Sequence, residues 1–160
     1  MRRTVQGIVL REINYKEADK ILTVLTREEG KLTLKARGCR RKNSRLLASS
    51  QLLVYSELAI TQRGEFITLA EGDPLTQFRR LGEDIDKLAL ASYFAEVTEK
   101  TVQEGEVCPD ILSLLLNCLY ALDTLDKPLE QVKAVFQLRL LSLTGLAPLL
   151  DTCVVCGNPQ

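Results

Sequence analysis

Residues 31–37 read KLTLKAR, and their alternation decides how the first half of the chain folds. Leu32, Leu34 and Ala36 take every second position, with Lys31, Thr33, Lys35 and Arg37 between them. A strand sends successive side chains to opposite faces, so this segment predicts a half-buried β-strand with an apolar side and a charged side. Upstream, TVQGIVLRE (4–12) and KILTVLT (20–26) read as two earlier strands, and REEG (27–30) turns the chain into residue 31. Downstream, QLLVYSELAIT (51–61) and EFITLAE (65–71) read as two more, joined by Gln62, Arg63 and Gly64. Between the third and fourth strands, NSRLLASS (43–50) has room for one or two helical turns. Five short strands in about seventy residues predict a small closed barrel, and an insert after the third strand is the layout of an OB-fold, although an SH3-like barrel also has five.

After Pro74 the apolar spacing changes to that of helices. Glu83, Asp84 and Asp86 are acids where a helix N-terminus favours them, and Ile85, Leu88 and Ala95 share a stripe, which predicts a helix over 83–102. A second helix opens at Pro109 and runs to Leu125. Its polar residues Ser113, Asn117, Tyr120 and Thr124 occupy one narrow stripe, so the rest of its circumference is expected to be buried. A third starts near Pro128 and stops at Gly145. The expected class is α+β: a five-stranded OB-fold barrel over 1–75, an all-α helical domain over 76–150, and a cysteine-bearing segment over 151–160.

The 160 residues carry 21 basic and 21 acidic side chains, but unevenly. Residues 1–80 hold 16 Lys/Arg against 9 Asp/Glu, and 81–160 hold 5 against 12. Such asymmetry points to a polyanionic partner for the first half. The N-terminus lacks a secretory pattern, and the longest apolar stretch, ILSLLLNCLYAL (111–122), is too short to span a bilayer and contains Asn117. No membrane partner is expected, and the cytoplasm is the expected location. Histidine is absent, which removes the commonest general base and every His-dependent triad. No pair of residues has a catalytic role that can be stated, so a non-enzymatic protein is expected.

The positive charge is concentrated in KARGCRRKNSR (35–45), where Lys35, Arg37, Arg40, Arg41, Lys42 and Arg45 are candidate phosphate ligands. A basic run can also be no more than a solvated strand end. Against that, no acidic residue lies between Glu29 and Glu57, and Gly38 permits a sharp turn that keeps the strand's outward side continuous with the loop. Tyr15, read as lying in the first loop, and Tyr55, read as facing outward, are candidate platforms for stacked bases or else barrel packing.

The last motif is CVVCGN (153–158). Cys153 and Cys156 have the spacing of half a tetrahedral zinc site, but a closed site needs four ligands and no Cys or His follows up to Gln160. A redox role lacks the strand-to-helix setting, and an idle pair of thiols is the remaining alternative. Cys39, Cys108 and Cys118 read as isolated small side chains.

Two stretches carry a resemblance. NYKEADKILTVLTREEGKLTLKARGCRRKNS (14–44) contains Tyr-x-Glu-x-Asp, Thr-x-x-x-Gly and Lys-x-Arg-Gly-x-Arg-Arg, and LTGLAPLLDTCVVCG (143–157) contains Gly-x-x-Pro-x-x-x-x-Cys-x-x-Cys-Gly. In this order they resemble the RecO family of bacterial recombination mediators. The resemblance implies an OB-fold followed by a helical domain with a zinc-binding region. It implies binding of single- and double-stranded DNA, annealing of complementary strands, and work with RecR in loading RecA onto DNA coated by single-stranded-DNA-binding protein. RecA would be met indirectly, and the setting would be the bacterial nucleoid. Family members usually continue into a second cysteine pair and further helices, so this chain looks like a fragment. Zinc is then expected in the longer protein and is not expected to be held tightly by Cys153 and Cys156 alone. The competing readings are an RNA-binding OB module and an adaptor whose basic loop docks an acidic protein tail.

Overall fold

The computed structural model describes residues 1–159. Five strands, β1 (Arg2–Tyr15), β2 (Asp19–Thr26), β3 (Gly30–Ala36), β4 (Val54–Arg63) and β5 (Phe66–Gln77), close into a barrel in the order β1-β2-β3-β5-β4. All neighbours are antiparallel except β3 and β5, which meet in parallel at Lys35 and Thr68. This order and closure are those of the OB-fold. Strand β1 is longer than the alternation of residues 4–12 suggests because it serves two partners. Its first part pairs with β4 through Arg2–Ile8 and its second with β2 through Gly7–Tyr15, with a register shift between Val9 and Arg11. A shift of this kind bends a strand and lets one chain turn a barrel corner.

Leu32, Leu34 and Ala36 are buried in the barrel with Val24, Leu58 and Ile60, while Lys31, Thr33, Lys35 and Arg37 face outward as their alternation predicts. Other local features differ from the strand pattern. Strand β4 starts at Val54 rather than Gln51, because Leu53 adopts a left-handed backbone (φ 63°) that breaks the extended run. Strand β5 runs past Glu71 and through Pro74 to Gln77, six residues beyond the strand expected over 65–71 and two beyond the expected end of the barrel at residue 75. Pro74 pairs with Ser56 beside a register shift, where a missing N–H is tolerated. Residues 43–50 form hydrogen-bonded turns rather than a regular helix, including Ser50 N–H to the Leu46 carbonyl at 3.0 Å.

A short 3-10 helix (Arg79–Glu83) leads to α1 (Ile85–Thr101), α2 (Pro109–Asp123) and α3 (Leu129–Leu143). Asp84 caps α1, its Oδ1 accepting from the N–H groups of Asp86 at 2.9 Å and Lys87 at 3.2 Å. The Ile85, Leu88, Ala95 stripe is only partly the buried face: Ile85 is 79% exposed, and the covered residues are Ala91, Phe94, Ala95 and Thr98. Small side chains at 91 and 95 allow close approach, and Phe94 stacks on Phe136 of α3 at 4.1 Å between centroids, so this face outcompetes the one bearing Ile85. Helix α3 ends in a Schellman arrangement, with Leu146 N–H to the Leu141 carbonyl (2.8 Å) and Gly145 N–H to that of Ser142 (3.2 Å).

Helix α2 is the centre of the helical part. Leu112, Leu115, Leu119 and Leu122 are buried, and Ser113, Asn117, Tyr120 and Thr124 form the exposed stripe that their spacing predicts. Replacing Leu115 by Ala is expected to cost about 2–5 kcal/mol in a denaturant titration, and a loss below about 1 kcal/mol would contradict this placement. The helices also cover one side of the barrel. Ile8 and Leu10 of β1 and Leu25 of β2 belong to the same apolar cluster as Phe94, Leu115 and Phe136. At the edge of this contact Lys31 donates from Nζ to the Glu99 carbonyl (2.7 Å), and Gly105 N–H donates to the Lys31 carbonyl (2.9 Å). The side of the barrel bearing Lys35 is left uncovered. No helix among the described residues is long and apolar enough to cross a membrane.

Candidate nucleic-acid interface

The basic loop leaves β3 at Arg37 and returns to β4 at Val54. It is tethered rather than loose. Cys39 and Leu46 turn inward and join the barrel core, leaving Arg37, Arg40, Arg41, Lys42 and Arg45 exposed between and around them. Gly38 takes a left-handed backbone (φ 63°) that an L side chain rarely adopts, and this reversal puts Cys39 inside while its neighbours point out. None of these five cationic side chains is in an ion pair among the described residues.

The β1–β2 hairpin tip lies against this loop. Arg40 N–H donates to the Ala18 carbonyl at 3.0 Å, and the Arg40 guanidinium reaches the Glu17 carbonyl at 3.4 Å. Gly38 N–H donates to Asp19 Oδ1 at 2.8 Å. Lys35 Nζ is 3.8 Å from Asp19 Oδ2 and 4.7 Å from the centroid of the Tyr15 ring. Lys16, whose left-handed backbone (φ 54°) makes the turn, places its Nζ 5.6 Å from the same ring. Two shallow recesses result, one lined by Arg37, Gly38, Arg41, Asn43 and Ser44, the other by Lys16, Glu17, Ala18, Asp19 and Arg41. Arg41 borders both.

This placement modifies the sequence reading in four ways. The gap in acidic residues between Glu29 and Glu57 does not leave the run without a neutraliser, because barrel register brings Asp19 of β2 to Lys35. Tyr15 is the last residue of β1 rather than part of the loop, and it joins the basic cluster. Tyr55 does not. Its ring is on the outer face of β4 as alternation suggests, but that face packs against the helical cluster, and its hydroxyl bonds to Gln6 Oε1 at 3.2 Å. Burial accordingly raises the Tyr55 pKa. Sequence reasoning misses Phe66. It opens β5, is 80% exposed, and lies on the outer side two residues before Thr68, the partner of Lys35. An aromatic directly after an Arg-Gly-Glu turn is a legible signal only once that turn is known to flank the charged face.

Cys153 and Cys156 lie in a tight turn after α3, closed by Gly157 N–H to the Cys153 carbonyl (2.8 Å) and Cys153 N–H to that of Asn158 (2.9 Å). Backbone N–H groups of Cys156 and then Val155 point at the Cys153 sulfur and, with the Cys156 thiol, hold the Cys153 pKa below the ordinary thiol value. That geometry suits a metal-binding thiolate. Among the described residues, however, no three His, Cys, Asp or Glu side chains come together as a metal site. The turn fits half of a zinc centre and not a closed one. Cys39 is in the barrel core, and burial pushes the Cys118 thiol up to about 11, so neither supplies a ligand.

Comparison with known proteins matches the chain in two parts. The family description "Recombination protein O N terminal" matches residues 1–78, and "Recombination protein O C terminal" matches residues 82–160. The protein named "DNA repair protein RecO" from Acetivibrio thermocellus is 35% identical over 152 residues, covering 95% of this chain and 61% of that protein. Its namesake from Bacillus pumilus is 36% identical over 155 residues, covering 97% and 60%. That from Symbiobacterium thermophilum is 36% identical over 154 residues, covering 96% and 61%. The chain thus spans about three fifths of the length of the curated relatives it matches. With an OB-fold barrel where one family description matches and helices where the other does, this chain belongs to the RecO family.

Proposed function

We propose that this chain binds the sugar-phosphate backbone of single- and double-stranded DNA through the β3–β4 loop and anneals complementary strands during recombinational repair. The observation that carries the reading is the row of exposed cations Arg37, Arg40, Arg41, Lys42 and Arg45, none in an ion pair among the described residues, on a loop anchored by Cys39 and Leu46. Anchoring matters because side chains held near their bound positions lose less entropy on binding. Phosphate contacts fix a nucleic acid without reading its sequence, which is what an annealing protein requires. Tyr15 and Phe66 offer ring faces on which bases stack regardless of identity. Neutralised phosphates let two strands approach, and pairing between the strands selects the register. No covalent step is needed.

Membership of the family supports the wider role: action with RecR and single-stranded-DNA-binding protein, RecA being served indirectly. Fluorescence-quench annealing of complementary oligonucleotides, run with DNA and with RNA, tests the reading. The parent chain is expected to accelerate DNA annealing, and the Arg40→Ala, Arg41→Ala, Lys42→Ala triple variant to lose most of that acceleration while its circular dichroism is unchanged. A preference for RNA would favour an RNA-binding module. Retention on an acidic peptide without DNA binding would favour an adaptor.

The same reading makes no use of a metal. Residues 1–160, loaded with zinc and dialysed against a chelator, are expected to lose the ion, because two thiolates leave half its coordination to water. Stoichiometric zinc after dialysis in a monomeric sample would contradict this.

A further inference from the structure

Asp19 is a carboxylate in the middle of a face that the preceding reading assigns to a polyanion, and electrostatics alone would make it a liability. Its surroundings give it another use. One oxygen accepts the Gly38 N–H at 2.8 Å, at the residue where β3 reverses into the basic loop. The other lies 3.8 Å from Lys35 Nζ, which in turn sits 4.7 Å from the Tyr15 ring. Next to it, Ala18 accepts the Arg40 N–H at 3.0 Å. Asp19 is only 19% exposed at its side chain, so these bonds are partly shielded from water. The Gly38 amide, in its left-handed conformation, has no strand partner to hold it; Asp19 replaces that partner.

We propose that Asp19 is a positioning residue for the basic loop: by accepting the Gly38 N–H it holds the start of the loop against the β1–β2 hairpin, so that Arg37, Arg40 and Arg41 face one strand of DNA together. The charged groups facing it are Lys35 from β3, Lys16 and Glu17 from the hairpin tip, and Arg41 from the loop, which borders the same recess. The proposal rests on the DNA-binding reading, and it reverses the sign that simple charge counting gives. Counting says that removing a negative charge from this face tightens DNA binding. Positioning says that removing the acceptor loosens it, because apparent affinity falls in proportion to the fraction of molecules whose loop is in the competent conformation.

The test is fluorescence anisotropy with a labelled single-stranded oligothymidylate at fixed low salt, for the parent, Asp19→Ala and Asp19→Asn. Asp19→Asn keeps a carbonyl oxygen for the Gly38 N–H and loses the charge, so it is expected to bind as tightly as the parent or more tightly. Asp19→Ala loses both and is expected to bind about tenfold more weakly, the change for a loop competent one-tenth of the time. Asp19→Ala binding as well as the parent, or Asp19→Asn binding as poorly as Asp19→Ala, would overturn the assignment. Amide hydrogen exchange supplies a readout that needs neither DNA nor a folded alanine variant. The Gly38 amide is expected to be protected in the parent and in Asp19→Asn, and rapid exchange of that amide in the parent would also overturn it. If the parent fails to bind the oligonucleotide, the functional reading fails, while the exchange measurement still decides the role of Asp19.

Discussion

Replacing Phe94 by Ala lowers the unfolding free energy by about 3–5 kcal/mol, the range for deleting a fully buried ring. Phe94 has no exposed surface and stacks on Phe136 at 4.1 Å with 23° between the rings, so little nearby can collapse into the space it leaves. Its cluster includes Ile8 and Leu10 of the barrel, and the damage is therefore expected in barrel and helices together. Against a typical total stability of about 5–15 kcal/mol this is a large fraction. Urea titration followed by circular dichroism in the β and α regions checks it. A loss below about 1 kcal/mol would show that the cluster is loosely packed, and a variant losing helix signal alone would show that the barrel does not depend on it.

The second large effect is at Gly30. It has φ +70°, and a Cβ added there would lie 2.1 Å from the Glu106 carbonyl oxygen, a backbone atom that cannot swing away. Gly64 provides the control, because it has nearly the same backbone angle (φ +61°) but a Cβ added there would meet nothing within 4 Å. Gly64→Ala should cost only the left-handed penalty, about 1–2 kcal/mol. Gly30→Ala should cost that plus the displacement of the 103–106 loop from β3, a total above about 3 kcal/mol. Equal losses at the two sites would mean that the contact between barrel and loop yields freely.

The parts of this fold that are legible in the sequence are those in which one element's pattern suffices. KLTLKAR declares its faces because the period of a strand is built into its backbone, and the polar stripe Ser113, Asn117, Tyr120 and Thr124 marks the exposed side of α2 in the same way. What is not legible depends on which neighbour arrives. Ile85 and Leu88 are as apolar as the residues that are buried, but the barrel, α2 and the α3 ring at Phe136 together decide that α1 turns Phe94 inward. Alternation places Tyr55 correctly on the outside of the barrel, yet no strand pattern reveals that the helices cover that side. The pairing of Asp19 with Lys35 and Gly38 requires the register of β1, β2 and β3 together, and residues 16 and 19 positions apart in sequence do not announce it. The basic run itself is plain to read, whereas its tethering through Cys39 and Leu46 emerges only once the barrel interior is assembled.

The claim that the β3–β4 loop grips phosphates is tested most directly by the salt dependence of single-stranded DNA binding. Each phosphate contact releases condensed counterions and contributes roughly −0.7 to the slope of log K against log salt, so the five exposed cations give a slope near −3.5, or about −4.2 if Lys35 also engages. The triple replacement of Arg40, Arg41 and Lys42 by Ala is expected to flatten that slope by about 2, to weaken binding alike for every base sequence, and to leave the thermal melt unchanged. A folded triple variant with the parent's slope and affinity would contradict the account and leave the loop a solvated surface.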